Sequence, residues 1–341
     1  MTQSDQQIEA PDPTLIHSLE RAGLLRLDEA HGFERLVGGV SSDIWKVTTS
    51  ERTFCVKRAL SQLRVAANWQ APVERNQYEV AWFEVVQGIL PDAVPSILYH
   101  DAQAMLCAME YLDPEQHRVW KRELQEGRAN PDDAGAVGSS LGRIHAATAG
   151  RAAVAARFPR SDIFRSIRLE PYLEATAARH PDLSTPLQAL SQRTDATRTV
   201  MIHGDVSPKN ILLGPNGPVF LDAECACIGD PAFDIAFCLN HLLLKCLWNP
   251  AARSGYFSCF QRMVDDYVSQ VDWELPAALE ARAASLLPGL FLGRVDGKSP
   301  VEYLQDEAQR NRVRRCARRL LVAPPSRLNA VLCAWQEELD S

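Results

Sequence analysis

The stretch His203-Gly204-Asp205-Val206-Ser207-Pro208-Lys209-Asn210 constrains this chain more than any other. The apolar run Thr199-Val200-Met201-Ile202 leads into it and Ile211-Leu212-Leu213 leads out. Short apolar runs bounded by turn residues predict buried strands. A packed scaffold therefore carries an acid, a proline-stiffened bend and an amide. Gly214-Pro215-Asn216-Gly217-Pro218 follows, a turn signal with Asn-Gly at its centre, then Val219-Phe220-Leu221 and Asp222. A hairpin folded about Asn216-Gly217 sets Leu213 opposite Phe220, Leu212 opposite Leu221 and Ile211 opposite Asp222. Asn210 and Asp222 then meet at the open end, at cross-strand distances of roughly 5–8 Å. Asp205 lies just beyond, at the mouth of the loop.

An Asp carboxylate and an Asn carbonyl converging on one point suit a hard, oxygen-preferring cation, above all Mg²⁺ carried by a nucleotide. A further carboxylate a few residues before that Asn can orient an attacking hydroxyl and take up its proton. Together these form the working end of a phosphoryl-transfer site. Taken singly, Asp205 and Asp222 are turn residues and His203 a satisfied core histidine. The agreement of acid, amide, hairpin and second acid favours the catalytic reading.

The pattern H-G-D-x-x-x-x-N, a hairpin, then D-x-E resembles the aminoglycoside phosphotransferase and choline kinase group, small-molecule kinases that share the protein-kinase-like fold. Gly204 stands where protein kinases carry Arg, and Asp222-Ala223-Glu224 where they carry Asp-Phe-Gly; both are usual in that group. Protein kinases also place a Lys two residues after the catalytic Asp. Ser207 stands here, with Lys209 the candidate substitute. The resemblance implies an α+β, two-lobed fold: a small N-lobe with an antiparallel sheet and one helix, and a larger helical C-lobe. It further implies Asp205 as catalytic base, Asn210 and Asp222 on Mg²⁺, and ATP or GTP as co-substrate in the cleft.

The N-terminal third agrees with this expectation. Phe33 to Val47 reads as strand, Gly-Gly-Ser-Ser turn, strand, and such turns let backbone N–H groups approach phosphate oxygens. Gly38, Gly39, Ser41 and Ser42 would cover the phosphates. Thr53-Phe54-Cys55-Val56-Lys57 is the next strand, and Lys57 matches the family lysine that pairs with the α- and β-phosphates. Pro72 to Leu90 reads as an amphipathic helix, with Tyr78, Trp82, Val85, Val86 and Ile89 at three- and four-residue spacing. Its Glu79 matches the glutamate that holds the lysine; Glu74 and Glu84 are alternatives. Met105 to Leu112 is a strand resembling the hinge, where main-chain groups around Glu110 and Leu112 bind the adenine edge. Residues 1–13 read as a mobile tail, 14–112 as the N-lobe and 113–341 as the C-lobe.

The remainder narrows the function by exclusion. A net charge of -7 gives no support for nucleic-acid or membrane-surface binding. The N-terminus lacks the basic start and apolar core of a signal peptide. The nine cysteines, with no export signal, read as reduced thiols of a cytoplasmic protein. Asp132 to Ala147 is a helix in which His145 reads as structural. Residues 157–196 are a helical insertion broken by Pro159, Pro171, Pro181 and Pro186, without chemistry of its own. Asp230 and Pro231 open a helix as N-cap and N1, and Asp234 within it braces the catalytic loop in the family. Eleven residues between Asp222 and Asp234 leave no room for a long activation segment, which counts against a protein substrate. Arg294 to Pro300 reads as a polar link, either a solvated loop or an acceptor-binding loop in which Arg294 or Lys298 meets an anionic group. The six arginines from Arg310 to Arg319 read as a solvated basic face. Family members act on aminoglycosides, choline, ethanolamine, methylthioribose, homoserine and macrolides. The mixed charge of the C-lobe leans towards a sugar, amino alcohol or hydroxy acid over an aminoglycoside. The alternative is a nucleotide- or ligand-binding module of the same fold without turnover.

Overall fold

The computed structural model describes residues 10–26, 28–36, 42–60 and 72–341. Gly38, Gly39 and Ser41 of the expected phosphate-covering turn, and most of the expected N-terminal tail, lie outside the described residues. Five antiparallel strands form the N-terminal sheet: β1 (Gly32–Arg35), β2 (Ser42–Thr48), β3 (Thr53–Ala59), β4 (Ile97–Asp101) and β5 (Leu106–Glu110), in the spatial order β1-β2-β3-β5-β4. The strands alternate faces with period two. One face carries Trp45, Val47, Phe54, Val56, Leu106 and Ala108, packed on Leu15 and Leu19 of helix α1 (Pro13–Arg21). Asp12 caps that helix by accepting from the Thr14 N–H at 2.8 Å, with Pro13 at N1. The opposite face carries Lys57, paired in register with Cys107, and receives helix α2 (Arg75–Gln87).

The remainder is largely helical, around one element. Helix Pro231–Trp248 is apolar on nearly every side, and Pro231 through Leu247 are all buried. A helix hydrophobic all round belongs at the centre of a core. Asp230 caps it, accepting from the Ala232 N–H at 3.0 Å. Helices Pro131–Thr148 and Arg253–Val268 pack side by side; a Cβ at Gly138 would sit 2.4 Å from the Met263 carbonyl oxygen, so only glycine allows that approach. Among the described residues no helix is long and apolar enough to cross a membrane.

The stretch 203–210 joins β7 (Val200–Ile202), which pairs with β10 (Cys227–Gly229), to the hairpin β8 (Ile211–Gly214) and β9 (Gly217–Phe220). The hairpin register differs from the sequence expectation: Ile211 faces Phe220, Leu212 faces Val219 and Leu213 faces Pro218. The turn is therefore centred on Pro215-Asn216. Proline's fixed φ suits the first central position of a turn, and Gly217, at φ +124°, takes the conformation other residues avoid. Strand β8 also pairs with β6 (Arg118–Val119).

Two further expectations change, and a third, the solvated basic face, gains partners. Pro171 does not break the insertion: residues 162–179 run on through it, wound as a π-helix over Arg165–Glu174, whose wider turns accommodate the ring. The polar link begins later than expected, because helix Pro276–Asp296 includes Arg294 and Asp296 and buries both. The arginine-rich helix Glu307–Val322 is a seam of ion pairs. Arg314 meets Asp296 at 2.7 Å, Arg315 meets Glu338 at 2.6 Å, Arg319 meets Glu337 at 3.3 Å, and Arg318 meets Asp182.

Candidate active site

The loop from His203 to Asn210 is held from behind by one carboxylate. Asp234 accepts the His203 N–H at 2.7 Å and the Gly204 N–H at 2.8 Å. It also lies 3.3 Å from Nε2 of His145, whose Nδ1 lies 2.9 Å from the Tyr267 hydroxyl. Gly204 has φ +76°, and a Cβ there would lie 2.8 Å from the Cys225 carbonyl oxygen. Only glycine serves where φ is positive and the backbone is this close. His203 is 1% exposed and satisfied: Nε2 lies 3.1 Å from the Leu221 carbonyl, and Nδ1 accepts from the Asp205 N–H at 3.1 Å. Burial pushes its pKa below the ordinary histidine value, which fits a neutral ring with the proton on Nε2. His203 is a clamp, not a base.

Asp205 is 2% exposed, and its two oxygens are treated unequally. Oδ2 meets Arg168 Nη2 at 2.7 Å, Asn210 Nδ2 at 2.8 Å and Lys209 Nζ at 3.2 Å. Oδ1 receives no hydrogen bond among the described residues, and Asp205 lines the cleft. The amide of Asn210 spends its nitrogen on Asp205, bonding the main-chain carbonyl as well at 3.1 Å, which leaves its own carbonyl oxygen without a donor.

Across the cleft Lys57 is 5% exposed. Its ammonium lies 2.5 Å from Asp222 Oδ1, 2.8 Å from Glu79 Oε1 and 3.0 Å from Glu224 Oε1. Glu79 is buried in the helix face turned to the sheet, whereas Glu74 and Glu84 are exposed. Burial alone would lower the Lys57 pKa, but Asp222, Glu224 and Glu79 outweigh it and hold the ammonium charged. Burial pushes Glu79 up against the pull of Lys57. Asp222 is pushed up by burial too, yet Lys57, Lys209 and Arg168 together hold it well below the ordinary carboxylate range. It sits at φ +67°, rare for a non-glycine residue and a sign of a position over-determined by its surroundings. Glu224 is held by Arg75 at 2.9 Å and by the Ser42 hydroxyl at 2.7 Å.

These groups line one cavity of about 870 Å³ between sheet and helices, which Glu110 and Leu112 also border. Glu110 gives its N–H to Ser96, while the Leu112 N–H has no acceptor among the described residues. Among the described residues no three His, Cys, Asp or Glu side chains cluster as a metal site. The side-chain oxygen of Asn210, without a donor among the described residues, and the second oxygen of Asp222 fit a different case. Mg²⁺ takes one or two protein oxygens and fills its shell with water and phosphate. Sequence reasoning assigned no role to Arg168, which comes from the insertion and carries no motif. It also passed over Lys245, although one charge in the run Leu242-Leu243-Leu244-Lys245-Cys246-Leu247-Trp248 was a signal.

A sheet lobe bearing Lys57 and Glu79, set against a helical lobe bearing Asp205, Asn210 and Asp222, defines a protein-kinase-like architecture. The class narrows further: the model of the phosphotransferase enzyme family matches residues 32–265, and the chain belongs to that family. A methylthioribose kinase of Pectobacterium atrosepticum is 24% identical over 262 residues, covering 64% of this chain and 65% of that protein. The methylthioribose kinase of Yersinia enterocolitica is 25% identical over 217 residues, covering 56% of this chain and 54% of that protein. The chain thus spans less than two thirds of the length of these relatives. An amicoumacin kinase solved with AMP-PNP and Ca²⁺ shares the fold, with a TM-score of 0.58 at 14% identity over 93% of this chain and 95% of that one.

Proposed function

We propose that this chain moves the γ-phosphoryl group of ATP or GTP to a hydroxyl of a small molecule. One observation carries the reading: Oδ2 of Asp205 is anchored by three donors while Oδ1 is left open to the cleft. An acceptor hydroxyl at Oδ1 is oriented there and gives up its proton as the phosphoryl group arrives. Asn210 and Asp222 would hold Mg²⁺, which when bound neutralises phosphate charge. Lys57, braced by Glu79, positions the phosphates, with Ser42 beside them. The open N–H of Leu112 and the main chain at Glu110 suit the edge of a purine, so no side chain selects the base. Catalysis is then mostly positioning and charge neutralisation. The segment between Asp222 and Asp234 is short and largely buried, which leaves no platform for a protein substrate.

The test is ADP release with Mg-ATP and with Mg-GTP against a panel of hydroxyl compounds. The panel includes methylthioribose, on which the named relatives act, with Asp205→Ala as control. Turnover abolished in Asp205→Ala, with nucleotide binding retained, is the expected result. Undiminished turnover in that variant, or no binding of either nucleotide by the wild type, overturns the reading.

A further inference from the structure

Two of the cations that line the cavity, Lys245 and Arg294, meet no carboxylate among the described residues. Helix Pro231–Trp248 presents Phe237, His241 and Lys245 to it at four-residue spacing. Lys245 is 1% exposed, yet makes no hydrogen bond or ion pair among the described residues. Its ammonium lies over the rings of Trp248, at 4.9 Å, and Tyr303, at 5.3 Å. Arg294, 9% exposed, gives Nη1 to the Tyr172 hydroxyl at 3.1 Å and to Ser299, while its Nε is buried without an acceptor. Nε2 of His241 and the hydroxyls of Ser207 and Tyr303 are also buried without partners.

The carboxylates on this side of the cavity are already engaged. Glu302 is bound by Lys121 at 2.5 Å, and Asp205 by Arg168 and Lys209. What remains is an excess of positive charge and of donors with little exposure to solvent. Burying an unpaired ammonium and an open guanidinium N–H opposes folding unless something supplies the missing acceptors. Water can accept hydrogen bonds but cannot neutralise charge. A carboxylate or phosphate does both, with several oxygens at once. A cationic ligand would meet like charge here and be rejected.

We propose that this basic end of the cavity, built from Lys245 and Arg294, binds an anionic group, carboxylate or phosphate, of the same acceptor whose hydroxyl is presented to Asp205. The inference rests on the phosphotransferase reading above and names its substrate class. It separates this chain's acceptor from cationic amino alcohols and aminoglycosides, and from neutral thiosugars. Burial, with Lys121 and Arg294 nearby, pushes Lys245 down to about 7, Glu302 pulling the other way. A bound anion therefore also restores the lysine's charge.

The experiment uses matched acceptors: 5-methylthioribose against ribose 5-phosphate, and glycerol against glycerate. ADP release is followed in wild type, Lys245→Met and Asp205→Asn. In parallel, inorganic phosphate is titrated calorimetrically into wild type and Lys245→Met, each saturated with Mg-AMP-PNP so that the nucleotide site is filled. The expected result is a kcat/KM at least about ten-fold higher for the anionic member of one pair, erased in Lys245→Met mainly through KM. Phosphate binding weakens in that variant by about ten-fold or more. The pair that shows the preference tells phosphate from carboxylate. Lys245→Met melts no lower than wild type without ligand, which excludes misfolding as the cause. Equal or better turnover of the neutral members overturns the inference, as does a preference that survives Lys245→Met. So does phosphate that binds both proteins equally or binds neither. Turnover of neutral compounds that still needs Asp205 overturns this inference and leaves the phosphotransferase reading standing; turnover indifferent to Asp205 overturns both. If no acceptor turns over, the phosphate titration alone decides.

Discussion

Replacing Arg168 by Met tests whether the geometry of Asp205 depends on an arginine outside every motif. Among the described residues the guanidinium is the only group that ties the Asp205 carboxylate, at 2.7 Å, to the carbonyl of the preceding Gly204, also at 2.7 Å. The side chain is 12% exposed, so solvent weakens neither bond much. A charge-assisted hydrogen bond is worth about 1.5–3 kcal/mol and a neutral one about 1 kcal/mol. Relief of guanidinium desolvation offsets part of that loss. Asp205 keeps Asn210 and Lys209, so no buried charge is stranded. A net loss of about 1.5–3 kcal/mol in positioning lowers kcat about 10- to 100-fold. Arg168 also acts on Asp222 through its charge, so the loss of positioning is read from kcat at saturating nucleotide. The assay is Asp205-dependent ADP release at saturating nucleotide, with nucleotide Kd measured separately. Arg168→Lys, which keeps the charge but cannot bridge both oxygens, should recover only part of the rate. A kcat for Arg168→Met within two-fold of wild type, at roughly unchanged Kd, would refute the bridging role.

Other variants probe the support of the loop. Asp234→Ala strands two buried N–H groups, at about 1–3 kcal/mol each, so urea unfolding should show a loss of about 2–6 kcal/mol together with lost turnover; a stable, active variant would contradict the bracing role. Gly204→Ala forces a Cβ into a positive-φ position 2.8 Å from a carbonyl, and should lower kcat more than nucleotide affinity, as ADP release and nucleotide titration can show. Lys245 falls from 10.5 in the free side chain to about 7 in the fold. The unfolded chain then binds more protons from about pH 7 to 10, so stability rises with pH across that window. Lys245→Met should be more stable than wild type at pH 6 in urea unfolding, with the gap narrowing steadily up to pH 9.5; a gap constant with pH would mean the lysine is not charged and unpaired in the fold.

Particular residues show how far the sequence reaches. Asp205, Asn210 and Asp222 are legible because strand, loop and hairpin follow one another directly, and local rules bring them together without knowledge of the rest. The register was still two residues off at each partner, because Pro215 pulls the turn away from Asn-Gly. Lys57 is legible as a strand lysine after a glycine-rich turn. Its partner was narrowed to three glutamates on one helix, and only packing shows that Glu79 faces inward. Pro171 was misread, and the acidic partners of the arginine-rich helix were not foreseen, because a proline's tolerance and a charge's partners depend on neighbours distant in sequence.

The sequence by itself determined the fold class and which side chains the loop from His203 to Asn210 and the following hairpin bring together, since periodicity, turn residues and short-range spacing act within a few residues of one another. The tertiary structure alone decided which oxygen of Asp205 stays open, that Arg168 reaches the other one from the insertion, and that Lys245 and Arg294 lack counter-ions among the described residues. The physical reason is that charge compensation is set by what folding brings within about 4 Å, whatever the separation along the chain.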